Sequence, residues 1–325
     1  MATYSIVKLN FTSPLHIGIG LGDHYDSAGN MLHSDTISGA IASAFCHIEG
    51  DGELVRFMDS YRVSSAFPFT ATNLFIPKPP IKLNIEFEGE NKYAHNKRLK
   101  KIEFIDHVLF SKLSAGEKLV IAEKQVSKNG KFLSSGQAGS MPYQDEVMQR
   151  VVVPRAGGDA TPFYFERRFF NSGCGLYFIY EVAKEFENSF KTAIFWLGTT
   201  GFGTDKSVGN GMFQTEFTEI TMNNELNTNR LMTLSLLCPG KNEISKEILD
   251  ESIYSLVHRG GFIAGTTVDE FRHLRKKSIY MFSEASLFKT DRLSGKIENV
   301  RPEWNDSKLH PVYKDGRAFT IPVNF

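Results

Sequence analysis

The chain has 325 residues, enough for about two domains, each with a core of its own. Its 41% hydrophobic and 12% aromatic content, with 27 phenylalanines, fits a globular protein whose cores are rich in aromatic packing. Lysines plus arginines equal aspartates plus glutamates at 37 each, which argues against a protein that grips nucleic acid through bulk charge. Any polyanion site has to be a local patch. Cys46, Cys174 and Cys238 are far apart and form no CxxC, so neither a disulfide framework nor a zinc site is suggested, and no metal or cofactor is expected. Met1–Phe11 is no signal peptide, and no run approaches the roughly 18 apolar residues of a membrane span, so a cytoplasmic location is expected.

Tyr4–Phe11 alternates, with Val7, Leu9 and Phe11 on one face, and predicts a strand at the edge of the core. Leu15–Gly22 follows as a glycine-rich loop that lacks the GxGxxG spacing of a dinucleotide site. Its His16 is either a hydrogen-bonded structural residue or a catalytic one. Ser34 or Asp35 can cap a helix in which Ile37, Ala40, Ile41, Ala44, Phe45 and Ile48 recur at helical spacing before Gly50. Asp35 reads as an N-terminal acidic residue on that helix, with a catalytic carboxylate as the alternative. After the stiff joint of Pro77, Pro79 and Pro80, Ile81–Phe87 alternates cleanly and predicts a strand.

Residues 91–101 hold Lys92, Lys97, Arg98, Lys100 and Lys101 with Tyr93 and His95, either a solvated loop or a phosphate contact. Ile102, Ile105, Leu109 and Leu113 then suggest a short helix. From Ser127 to Gly158 no periodicity persists, so an extended insertion is expected. In it Met141, Tyr143, Met148, Arg150, Val151, Val152 and Arg155 mix apolar wedges with cations, which suits a single-stranded nucleic acid or a protein partner. Strand character returns over Phe163–Phe170 and Leu176–Glu181, and a helix spans about Lys184–Leu197.

That helix leads into Gly201–Gly211, whose glycines at 201, 203, 209 and 211 permit φ > 0 and close backbone approach, with Lys206 and Ser207 at the middle. It is either a phosphate cradle or a turn. It is not a P-loop, because Thr200 and Asp205 stand where that motif needs glycine. The polar stretch 221–227 marks a domain boundary. Beyond it the residues predict a strand over Leu231–Leu237, a turn at Cys238–Gly240, a helix over Ile244–Val257 and a basic, glycine-rich exit at His258–Gly261. A cationic run, Arg272–Lys277, precedes a strand at Ser278–Ser283, and Asp315-Gly316 between apolar runs signals a hairpin turn.

Pro14-Leu15-His16-Ile17-Gly18, then Ser34-Asp35-Thr36 and the Gly201–Gly211 loop, resemble the RAMP proteins of CRISPR–Cas systems. Arg259-Gly260-Gly261, Lys276–Phe282 and His310-Pro311-Val312-Tyr313, with Gly316 and Ala318-Phe319, are similar to the fourth subunit of the type III-A Csm effector complex. The resemblance implies an α+β chain of two ferredoxin-like (RRM-type) domains with antiparallel sheets, a glycine-rich loop and a long inserted hairpin or thumb. The boundaries are then 1–222, with the insertion around 88–160, and 223–325. It also implies a noncatalytic subunit that holds the 5′ handle of the CRISPR RNA and bridges the large Palm-domain subunit to the backbone RAMP subunit, meeting target RNA only indirectly.

On that reading Gly201, Gly203, Gly209 and Gly211 allow close approach of RNA, while Lys206 and Ser207 contact phosphate. Arg150 and Arg155 act as clamps, and His16 and Gly18 line the same surface. Lys97 and Arg98 add cations, and Arg259 and His310 serve either RNA or the second domain and its partner. Relatives often carry aspartate where this chain has Pro154. The alternative is a metal-independent RAMP endoribonuclease that processes CRISPR RNA with His16 or another histidine as general base.

Overall fold

Alternation in the first strand serves two cores at once: Val7 and Leu9 point into one and Ile6 into the other, all fully buried. The computed structural model describes residues 2–18, 28–89, 92–154, 157, 159–222, 228–263, 268–303 and 308–325. Its main sheet is antiparallel and runs Phe213–Met222, Ala2–Phe11, Gly175–Val182, Tyr61–Val63, with Phe67–Phe69 also pairing with Gly175–Val182. The opening strand is therefore central and not at an edge. Helices Ser34–Glu49 and Glu187–Thr200 pack together on one face, which gives the chain order β-α-β-β-α-β in this part.

The opposite face of the sheet is covered by two later regions. One contains the strands Phe75–Pro77, Phe104–Asp106 and Phe132–Leu133 and the parallel pair Ile85–Phe87 and Leu119–Ile121. The other contains the three-stranded sheet Leu287–Lys289, Arg230–Thr233, Thr320–Pro322. Met232, Leu234, Phe319 and Ile321 share a core with Ile6, Tyr177, Ile179 and Ile220. Two hairpins complete the C-terminal part: Leu256–Arg259 with Ile279–Phe282, and Gly295–Asn299 with Tyr313–Arg317. Among the described residues no helix is long and apolar enough to cross a membrane.

Several elements differ from the sequence expectation, each through tertiary pairing that outweighs local pattern. Only Ile85–Phe87 of the expected strand Ile81–Phe87 is extended. The basic segment is the helix Lys92–Lys101, and the next helix starts at His107, where Asp106 caps it by accepting from Val108 N at 3.0 Å. Tyr143–Val152, where no periodicity marks a strand and only an extended insertion is expected, is a ten-residue strand paired along its length with Thr161–Phe170. Its side chains are exposed on both faces, so no burial pattern marks it. The helix expected over Ile244–Val257 shrinks to Lys246–Asp250, because Ile253 pairs with Leu287 and Leu256–Arg259 is drawn into a hairpin. Asp315-Gly316 is no turn but mid-strand, and a Cβ on Gly316 would stand 2.3 Å from Cys238 Cβ.

Candidate nucleic-acid interface

The glycine loop folds back on the segment after the first strand. Gly211 N donates to Pro14 O at 2.8 Å, Phe202 N to Gly211 O at 3.0 Å and Thr204 N to His16 O at 3.2 Å. These contacts need glycine: a Cβ on Gly211 (φ +75°) would lie 1.9 Å from Phe202 O, and one on Gly203 (φ +92°) 2.3 Å from His16 O. Gly201 is closed off in the same way by Asn210 O at 2.5 Å, and Gly18 faces Thr204 Cγ2 at 2.6 Å. The close approach at these four positions is thus filled by the protein's own atoms. Gly209, exposed and left-handed, is the one loop glycine with open space over it.

A second layer of the site comes from the long hairpin Tyr143–Val152/Thr161–Phe170. Asp205, 10% exposed, accepts from Arg150 at 3.5 Å, from Asn210 Nδ2 at 2.7 Å and from Arg167 in a tight ion pair. Arg150 and Arg167 both lie over the Phe165 ring, at 5.0 and 5.5 Å from its centroid. His16 packs on the same ring at 4.3 Å and donates from Nδ1 to Glu166 O at 2.7 Å. At 2% exposure His16 is a structural member of the site. Outside this clamp the loop turns through a short 3-10 segment, Lys206–Val208, closed by Gly209 N donating to Lys206 O at 3.0 Å, where the side chains of Lys206 and Ser207 are exposed with no hydrogen bond or ion pair to any described residue.

The structure therefore gathers His16, Gly18, Arg150 and the loop residues Gly201, Gly203, Lys206, Ser207, Gly209 and Gly211. Sequence reasoning missed Phe165, Arg167 and Asp205. Asp205 sits among the glycines of the loop, and Phe165 and Arg167 alternate along a strand, a signal too common to single them out. Arg155 lies outside the described residues, as do residues 19–22 and 223–227. Lys97 is exposed on the helix Lys92–Lys101, while Arg98 pairs with Glu123 at 3.2 Å and lies over Phe87. Together with Lys101 and Lys128 they line a separate basic hollow of about 410 Å³.

Arg259 faces inward. Its Nε and one terminal nitrogen donate to the two oxygens of Asp35 at 3.0 and 2.8 Å, and to Thr36 Oγ1 at 2.9 Å. Asp35 thus does not cap its helix: His33 is the N-cap, without a side-chain cap bond. Burial pushes the Asp35 carboxyl up, but Lys314 and then Arg259 outweigh it and hold the group well below the usual carboxylate range. Ser34 Oγ instead accepts from Leu236 N at 3.0 Å. His310 is half-buried, with Nδ1 donating to Pro311 O at 2.8 Å.

Residues 226–323 match the CRISPR Csm4 C-terminal domain. The CRISPR system Cms protein Csm4 of Thermococcus onnurineus (strain NA1) is 26% identical over 306 residues, covering 90% of this chain and 92% of that protein. The chain is similar to Csm4 proteins over most of its length, and its C-terminal part matches the Csm4 domain. Solved Csm4-containing assemblies share its α+β fold. The match to the Csm3-Csm4 subcomplex of a type III-A CRISPR-Cas interference complex has a TM-score of 0.66 at 19% identity, covering 98% of this chain and 99% of that one. The match to a Csm1-Csm4 cassette in complex with cA4 has a TM-score of 0.63 at 21% identity, covering 99% and 98%. In this Csm4-like chain the long hairpin and the glycine loop are locked together through Asp205.

Proposed function

We propose that this chain is a noncatalytic RNA-binding subunit of a type III-A effector complex in the cytoplasm, holding the 5′ handle of the CRISPR RNA. One observation carries the reading: the Asp205 clamp fixes the loop to the hairpin while leaving Lys206, Ser207 and Gly209 facing outward. A rigid turn with a free ammonium, a hydroxyl and open backbone suits phosphates of a single strand. Arg150, 32% exposed, stands beside it, and Met148, Val151 and Tyr164 on the hairpin supply exposed apolar surface for bases. Arg155 would extend this clamp. No cofactor or metal enters the reading.

Csm4 chains of this fold occur in Csm1-Csm4 cassettes and in a Csm3-Csm4 subcomplex. We extend both partners to this chain, with the Csm1-type subunit as the large Palm-domain partner and the Csm3-type subunit as the backbone. The order β-α-β-β-α-β around the main sheet supports a ferredoxin-like first domain, with a second domain from about residue 223. The endoribonuclease alternative gains little from His16, whose burial and bond to Glu166 O leave it poorly placed as a general base.

Coexpression with Csm1- and Csm3-type partners, followed by sequencing of the RNA ends, tests the reading. Copurified RNA should begin with a uniform repeat-derived 5′ segment, lost when Arg150 and Lys206 are both replaced by alanine. Guide RNA retained with unchanged 5′ ends by the double variant would refute it.

A further inference from the structure

A second gathering of charge lies where the first helix begins, built by residues far apart in sequence: Asp35, Arg259, Lys276 and Lys314. Asp35 is 4% exposed and Lys314 5%, and Lys314 Nζ donates to the same carboxylate that Arg259 grips. One negative charge is already shared by two cations before Lys276 is counted.

Lys276 lies in the segment leading to the strand Ile279–Phe282, its backbone N–H bonded to Gly261 O at 3.1 Å and its Cε 3.8 Å from where a Cβ on Gly261 would stand, two residues after Arg259. Its ammonium has no acceptor among the described residues. Burial, then the positive charge of Lys314 and that of Arg259, pull its pKa down to about 8, with Asp35 only partly opposing. One terminal nitrogen of Arg259 is likewise left without an acceptor, since its bonds use Nε and Nη2. Among the described residues three cations face one carboxylate, which leaves about two positive charges uncompensated there, an arrangement that costs stability unless an anion completes it.

We propose that Lys276, with Lys314 and the free guanidinium edge of Arg259, forms a phosphate-binding site at the joint between the first helix and the C-terminal hairpins. The uncompensated charge matches a phosphate dianion or adjoining phosphodiesters better than a single carboxylate, and guanidinium and ammonium groups are suited to tetrahedral oxyanions. The site is separate from the glycine loop and does not depend on the RNA reading of that loop.

The test uses the full chain and inorganic phosphate, with sodium chloride at equal ionic strength as control. Phosphate should raise the melting temperature of the wild type and of Lys206→Ala alike. Lys276→Gln should melt higher than wild type without phosphate, because repulsion is relieved, and should bind phosphate at least about tenfold more weakly. Lys276→Arg should keep the binding. A single-stranded oligoribonucleotide separates the sources of the phosphate. Weaker RNA binding by Lys276→Gln, with phosphate competing, assigns the site to an RNA backbone. Unchanged RNA binding by Lys276→Gln, alongside its weakened phosphate binding, assigns the site to a free phosphate compound. No phosphate-induced stabilisation of the wild type beyond the chloride control, or equal phosphate binding by wild type and Lys276→Gln, would overturn the proposal.

Discussion

Asp205 and Asp35 each hold two cations, yet the regions around them serve opposite ends. Asp205 meets Arg150 and Arg167 at the rim, ties the glycine loop to the long hairpin, and leaves Lys206 outside the network. Asp35 meets Arg259 and Lys314 in the interior, where it joins the first helix to strands more than two hundred residues later. Neighbouring polar bonds strengthen that joint: Ser38 Oγ donates to Asp315 at 2.8 Å, and Glu284 accepts from His33 at 2.7 Å and from Ser65. The difference shows what burial does to the same pairing. At the rim an ion pair sets the shape of a surface, whereas in the interior it decides whether two parts of the chain stay together.

The sharpest way to break this comparison is Asp35→Asn. It leaves Arg259 and Lys314 without their counter-charge and should cost about 3–5 kcal/mol by urea unfolding. A cost near that of an exposed ion pair would remove the distinction. Gly211→Ala is next: at φ +75°, with its new Cβ 1.9 Å from Phe202 O, it should cost about 3 kcal/mol and dislodge the glycine loop.

Acid should act on stability through two buried carboxylates. Asp106, which caps the helix His107–Ser114, has its pKa lowered to about 2: burial pushes it up, but bonds from His107 and Ser135 outweigh that. Asp35 is depressed further. For a depressed carboxyl the stabilisation is fully present above the unfolded value near 3.9 and is lost as pH falls through the folded value. Unfolding titrations should therefore show flat stability from about pH 7 to 5 and a loss of roughly 2–3 kcal/mol or more between about pH 4 and 2. The smallest effect on stability belongs to Lys206→Ala, which should change it by no more than about 0.5 kcal/mol, since the side chain is exposed and its ammonium has no partner among the described residues.

Tyr4–Phe11, Leu176–Glu181 and the helices from Ser34 and Lys184 are legible in the sequence because each carries a clean period and a buried face, whereas the three-residue strands Tyr61–Val63 and Phe67–Phe69 of the same sheet are too short to show one. The strand Tyr143–Val152 is not legible, because both its faces meet solvent and only pairing with Thr161–Phe170 makes it extended. Asp315-Gly316 misled for the opposite reason: a strong local turn signal is overridden by Cys238 packing against Gly316 and by Arg317 holding Asp315. The glycine loop was found from its composition, but the purpose of its glycines was not. Three of them accommodate the protein's own backbone, a long-range contact that no local spacing encodes. The sequence leaves Arg259 open between RNA and the second domain for the same reason, since its partner Asp35 lies 224 residues away.

The central claim is that a loop fixed from within presents Lys206 to RNA, and handle-RNA binding across salt tests it most directly. The account predicts that Lys206→Ala in the assembled complex weakens binding and lowers the slope of log affinity against log salt by about 1, with the melting temperature unchanged. Equal affinity and equal slope for wild type and Lys206→Ala would contradict it.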